Sequence, residues 1–179
     1  ALEERIMPNL VLVIDMVRGF LEPGHNLYCG DDARRIISNV QGLLEREREA
    51  GSEILFISDH HDPDDLEFQV FPVHCVKGTD EPRVIEELVA FVTDSNVVPK
   101  NRYSGFFNTD LDQRLEKSRP EKLIICGVCT DICVLHTTSD ARNRDYAVEV
   151  PADCVTSFNP AAHEWALGHL AKILGARVV

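Results

Sequence analysis

Apolar residues are distributed along this chain in two rhythms. Leu10–Ile14 is an unbroken apolar run that stops at Asp15, and the same pattern recurs at residues 54–57 before Ser58 and at residues 123–126 before Gly127. A run that is apolar at every position has no face to offer water, which marks a strand buried on both sides of a parallel sheet. Residues 96–98, 147–150 and 177–179 read as three further, shorter strands. Between these runs the spacing predicts helices over residues 31–50, 81–91, 109–117, 131–145 and 160–174, the first of them amphipathic and closed by Gly51. Alternating strands and helices imply an α/β fold with six parallel strands and right-handed crossovers.

With 179 residues, 44% of them hydrophobic, the chain suits one domain spanning residues 1–179 with a substantial core. Its first ten residues carry Pro8 and several charges but no apolar signal core, and no later run is long enough to cross a bilayer. A soluble, cytoplasmic protein with no membrane partner is expected. A formal net charge of -12 would repel a phosphate backbone, and no Lys/Arg stripe offsets it, so nucleic acid is not expected as a partner. Six cysteines raise the question of disulfides, but a chain of this size needs no covalent staples and reduced thiols are expected.

The longest irregular stretches, residues 17–30 and 59–79, follow strands at the end where open α/β sheets place their binding crevice. Candidate chemistry gathers at that edge. Asp15 closes the first strand and could accept a proton, or serve as a plain capping carboxylate. Lys100 follows a short strand and Pro99, and could bring a cation to the same edge or lie solvated on the surface. Cys133 follows the strand ending at Cys126. If Thr130 caps the next helix, Cys133 sits at its third position, where backbone amides and the helix dipole favour a thiolate. The alternative is an inert buried cysteine. A metal site made of Cys126, Cys129 and Cys133 is disfavoured, because Cys126 lies inside a strand and no fourth ligand stands at suitable spacing.

A second constellation lies in residues 59–75, where Asp59, His61, Glu67 and His74 are close in sequence. Alternate residues of an extended chain face the same way, so Asp59 and His61 can share one ion. Two imidazoles with carboxylate oxygens suit one divalent ion, Zn before Mn or Fe. An acidic solvated loop with incidental histidines is the competing reading.

Three segments together resemble the isochorismatase-like cysteine hydrolases over nearly the whole chain. They are Val13-Ile14-Asp15-Met16-Val17 with Phe20, then Pro99-Lys100, and above all Gly127-Val128-Cys129-Thr130-Asp131-Ile132-Cys133-Val134. The resemblance implies a Rossmann-like, three-layer α/β/α fold in which Asp15, Lys100 and Cys133 form a catalytic triad. It also implies a cis peptide before Cys129 and an oxyanion hole made by the Cys129 and Cys133 amides. Asp59-x-His61 followed by Phe71-Pro72-Val73-His74-Cys75 is similar to the metal motif of the nicotinamidase branch, with Glu67 as a further ligand. In that branch Phe20, Phe71 and Tyr103 would line the pocket for a planar ring. The function so implied is metal-dependent deamidation of nicotinamide through a Cys133 thioester, by an enzyme that is commonly a homo-oligomer. The rivals are a relative cleaving another small amide or carbamoyl group, a nucleotide-binding module, and a silent scaffold. The nucleotide reading lacks the G-x-G-x-x-G and Walker A spacings, and the scaffold reading does not explain why all three triad residue types are present.

Overall fold

A computed structural model describes residues 7–179; the first six residues of the expected 1–179 domain lie outside the described residues. Among the described residues seven strands form one sheet: β1 (Leu10–Ile14), β2 (Glu53–Asp59), β3 (Val97–Lys100), β4 (Leu123–Val128), β5 (Val148–Val150), β6 (Val155–Thr156) and β7 (Arg177–Val178). Their order is β3-β2-β1-β4-β5-β7, with β6 attached to β4, and every pairing is parallel. The expected parallel α/β sheet is present, with the two-residue β6 in addition. No helix among the described residues is long and apolar enough to cross a membrane.

The apolar runs are explained by the two faces of the sheet. Along β1, Val11 and Val13 enter one core with Ile37, Val40 and Leu44 of α2 (Ile36–Glu49), after α1 (Arg18–Leu21). Leu10, Leu12 and Ile14 enter the opposite core with Leu111 and Leu115 of α3 (Leu111–Ser118), Val134 and Ala141 of α4 (Cys133–Asn143) and Leu170 of α5 (Pro160–Lys172). All five β1 residues are fully buried, so both faces must be apolar.

Two expected helices differ. Residues 81–91 form a short 3-10 helix only over Glu86–Phe91. The preceding residues lie alongside residues 16–19, where the Arg83 and Glu81 carbonyls accept from the Arg18 and Gly19 amides and Val17 bridges Val84. Backbone groups engaged with another segment cannot close a helix. Likewise residues 31–50 begin with a 3-10 turn, Asp31–Arg35, before α2.

Strand order reverses between β1 and β4, which opens a crevice at their carboxyl ends. Gly127 allows the two strands to close together there. It has φ +111°, and a Cβ on it would lie 2.0 Å from the Ile14 carbonyl oxygen, so no other residue fits this backbone.

Candidate active site

Four strand ends deliver the polar residues. Asp15 follows β1, Asp59 ends β2, Lys100 ends β3, and the turn after β4 leads to Cys133. Asp59 and Lys100 are register partners of adjacent parallel strands, which sets a carboxylate beside an ammonium. Asp15 has φ +51°, an uncommon region for a residue other than glycine. It is held by its amide on the Ile57 carbonyl at 2.8 Å and by its Oδ1, which accepts the Asp59 amide at 2.9 Å.

Lys100 is the hub. Its buried Nζ lies 3.0 Å from Asp15 Oδ2, contacts Asp59 Oδ1 and donates to Cys133 Sγ at 3.4 Å. A buried ammonium needs such partners, and Lys100 has two carboxylates. Burial disfavours its charge, but Asp15 and Asp59 hold its pKa well above the ordinary value. Burial and the neighbouring Asp59 raise the Asp15 carboxyl to about 6, with Lys100 opposing. Asp59 responds differently: burial disfavours its charge, yet Lys100 and the two histidines hold it far below the carboxylate range.

Cys133 is 7% exposed. Burial, with Asp15 and Asp59, pushes its thiol well above the ordinary value despite Lys100. Burial therefore opposes the thiolate that the helix start was expected to favour, and Asp15 stands within hydrogen-bond reach of the thiol. Its place on the helix also differs. Helix α4 starts at Cys133 itself, with Ile132 before it and no side-chain cap. Thr130 is turned aside: its amide donates to the Thr156 carbonyl of β6, and its hydroxyl pairs with His163 Nδ1 at 2.7 Å. The peptide between Val128 and Cys129 is cis.

The second cluster adjoins the first through Asp59. The ligand atoms of Asp59, His61, Glu67 and His74 all lie within 4.8 Å of one another, and all four residues are buried. His61 Nε2 is 3.4 Å from both Asp59 Oδ2 and Glu67 Oε2, and His74 Nε2 lies 3.5 and 3.2 Å from the same two atoms. The two histidine segments are joined by the backbone, since the His61 amide donates to the Cys75 carbonyl at 2.9 Å and the Lys77 amide to the His61 carbonyl at 2.9 Å. Each imidazole is also fixed through Nδ1, His61 on Asp65 Oδ2 at 2.9 Å and His74 on the Pro72 carbonyl at 2.7 Å.

These residues fit a divalent cation. His61 Nε2 and Glu67 Oε1 are buried with no hydrogen-bond partner among the described residues, a costly state for polar atoms that a bound ion would relieve. Burial lowers the His74 pKa, but Asp59 and Glu67 outweigh it and bring it to about 10. The cluster thus attracts positive charge, as protons or as a metal in their place.

Between the two clusters lies a narrow cleft walled by Phe20, Phe71, Tyr103, Cys129, Cys133 and the acidic residues. Phe71 and Tyr103 meet edge to face at 6.2 Å, and Phe20 packs 5.7 Å from His74. The expected triad, metal-ligand and ring-wall residues therefore converge on one place, while Thr130 and Cys126 do not reach it. Sequence reasoning missed Leu27, Ile132 and Phe158, which complete the cleft wall, as well as Phe68, packed 5.4 Å from both His61 and His74. It also missed His136, stacked on Tyr103 at 5.5 Å, and Asp65 and Arg102 behind the histidines. None of these carries a spacing that distinguishes it from ordinary loop or core residues.

Comparison with known proteins agrees with this geometry. The family model described as the isochorismatase domain matches residues 9–179. The chain belongs to the isochorismatase family. Among solved members, a pyrazinamidase/nicotinamidase from Streptococcus mutans is 34% identical and superimposes with TM-score 0.90 over 96% of this chain and 99% of that one. A pyrazinamidase of Pyrococcus horikoshii in complex with zinc is 29% identical, with TM-score 0.86 over 96% of this chain and 98% of the other. An N-carbamoylsarcosine amidase from Thermoplasma acidophilum is 30% identical, with TM-score 0.83 over 96% and 95% of the two chains. This isochorismatase-family chain thus resembles the nicotinamidase branch, while the N-carbamoylsarcosine amidase shares its fold.

Proposed function

We propose that this chain is a metal-dependent cysteine amidohydrolase that converts nicotinamide to nicotinate and ammonia. The observation that carries the reading is the Lys100 ammonium, buried in contact with Asp15, Asp59 and Cys133 at once. Such a buried cation joins a base and a nucleophile in a cleft, which is a catalytic arrangement more than a stabilising one.

Asp15, near 6, is ionised at neutral pH and takes the Cys133 proton as sulfur attacks the carboxamide carbon. Lys100 offsets the negative charge that passes between them. The new oxyanion faces the Cys129 and Cys133 amides, neither of which donates to a backbone carbonyl among the described residues. Collapse breaks the C–N bond, Asp15 returns its proton to the leaving nitrogen, and ammonia departs from the Cys133 thioester. Asp15 then accepts a proton from water, which adds to the thioester and releases the carboxylate and the thiol. Asp59, His61, Glu67 and His74 would hold the metal, which supplies an electrophilic site for the pyridine nitrogen or for water. Phe20, Phe71 and Tyr103 orient the planar ring.

Ammonia and nicotinate release from nicotinamide by the purified protein, with and without chelator, tests the reading; full activity in Cys133→Ala would end it. The likeness to an N-carbamoylsarcosine amidase favours one second reading, the same triad acting on a carbamoyl group. A panel of N-carbamoyl compounds in the same ammonia assay separates the two.

A further inference from the structure

Arg102 touches both halves of the site. Its backbone carbonyl accepts from Lys100 Nζ at 3.0 Å, and its guanidinium donates to Asp65 Oδ1 at 2.7 Å. Asp65 in turn serves the metal cluster with both oxygens. Oδ2 pairs with His61 Nδ1 at 2.9 Å, and Oδ1 accepts the Glu67 amide at 2.9 Å as the cap of the short 3-10 helix Leu66–Gln69. The Asp65 side chain is only 4% exposed.

We propose that Asp65 and Arg102 form a latch that positions His61 and Glu67 for a divalent cation. The proposal rests on the metal reading above and assigns these two residues, which offer no ligand atom to the ion, as positioning residues. An imidazole can turn about its side-chain bond and carry its proton on either nitrogen. An acceptor at Nδ1 fixes both, leaving Nε2 free to face Asp59 and Glu67. The same carboxylate fixes the backbone that carries Glu67, so one side chain sets two of the four ligand atoms. Arg102 is what holds that carboxylate in place. Asp65 is held from the protein side by His61 and the Glu67 amide, and Arg102 closes its Oδ1 with an ion pair at 2.7 Å. The neighbour of Arg102 in sequence, Tyr103, is a wall of the cleft, so the latch also ties the metal cluster to the substrate pocket.

The test is zinc titration of the metal-stripped full chain in competition with a chromogenic chelator. Arg102→Ala and Asp65→Ala should each weaken zinc binding by about 10–100-fold, the range for partners of metal ligands. Arg102→Lys should recover most of the loss, because a single N–H makes the contact. The double variant should bind no more weakly than Asp65→Ala alone, since both act through one element. Asp65→Asn, which keeps an acceptor for the Glu67 amide, should lose less than Asp65→Ala and guards against misfolding of the latter. Alkylation of Cys133 by iodoacetamide, read by peptide mass, should proceed in Arg102→Ala at the wild-type rate, because the main-chain carbonyl on Lys100 remains. Wild-type zinc affinity in Arg102→Ala, or full additivity in the double variant, overturns the latch. A changed alkylation rate does so too, faster by showing general loosening and slower by showing that the triad itself is disturbed. A wild-type chain that takes up no zinc overturns the metal reading, and the latch with it.

Discussion

Asp15, Lys100 and Cys133 are carried by the ends of β1 and β3 and the start of α4, whereas His61, Glu67 and His74 lie on one irregular stretch beyond β2. The first group takes its geometry from strand register, which is set by the apolar cores on both faces of the sheet. The second takes it from local hydrogen bonds: the His61 amide on Cys75, its ring on Asp65, and the His74 ring on Pro72. Rigid elements hold a reacting geometry more closely than loops, while a loop can gather many ligands within a few residues. Asp59 belongs to both, with Oδ1 on Lys100 and Oδ2 facing the two histidines. The comparison teaches that the two groups are one electrostatic unit, in which Asp59 stays ionised and Asp15 is pushed upward.

The sharpest separation of the two groups should come from Cys133→Ala. Loss of the nucleophile is expected to lower kcat by about 10⁴-fold or more while zinc affinity stays at the wild-type value. Comparable losses in both would show that the groups cannot be told apart by side-chain removal.

Asp59→Asn should damage both groups at once, weakening zinc binding by at least the roughly 100-fold at the top of the range for outer partners and lowering kcat as well. His74→Ala is the control. It should lose zinc to a similar degree, yet leave the rate of Cys133 alkylation unchanged, because His74 makes no contact with the triad. An altered alkylation rate in that variant would merge the two groups.

The smallest effect is a matter of pH. With Asp15 acting as base, its protonated form is inactive, so kcat/KM should fall as pH drops through about 6. An acid limb near 4, the ordinary value for an aspartate, would show that the environment of Asp15 does not raise it. In Asp59→Asn the limb should move down, because one of the charges that raise it is gone.

Much of the fold was legible because burial on two faces leaves a plain signature. Leu10–Ile14 and residues 54–57 and 123–126 each became a central strand. Strand β6 was not legible, since two residues carry no pattern. Residues 81–85 failed as a helix because their carbonyls are claimed by the Arg18 and Gly19 amides, contacts with no local trace. The Thr130 cap failed for the same reason, as Thr156 and His163 compete for that residue from another part of the chain.

By itself the sequence determined which chemical groups are present and at which strand ends they stand, because alternation, apolar runs and motif spacing are local properties. Only the tertiary structure decided that Asp59 joins the Lys100 hub to the histidines, that Arg102 reaches Asp65, and that burial disfavours the Cys133 thiolate. Each of these depends on distances between segments and on the loss of water around charges, quantities fixed only when the separate strands are brought to one edge.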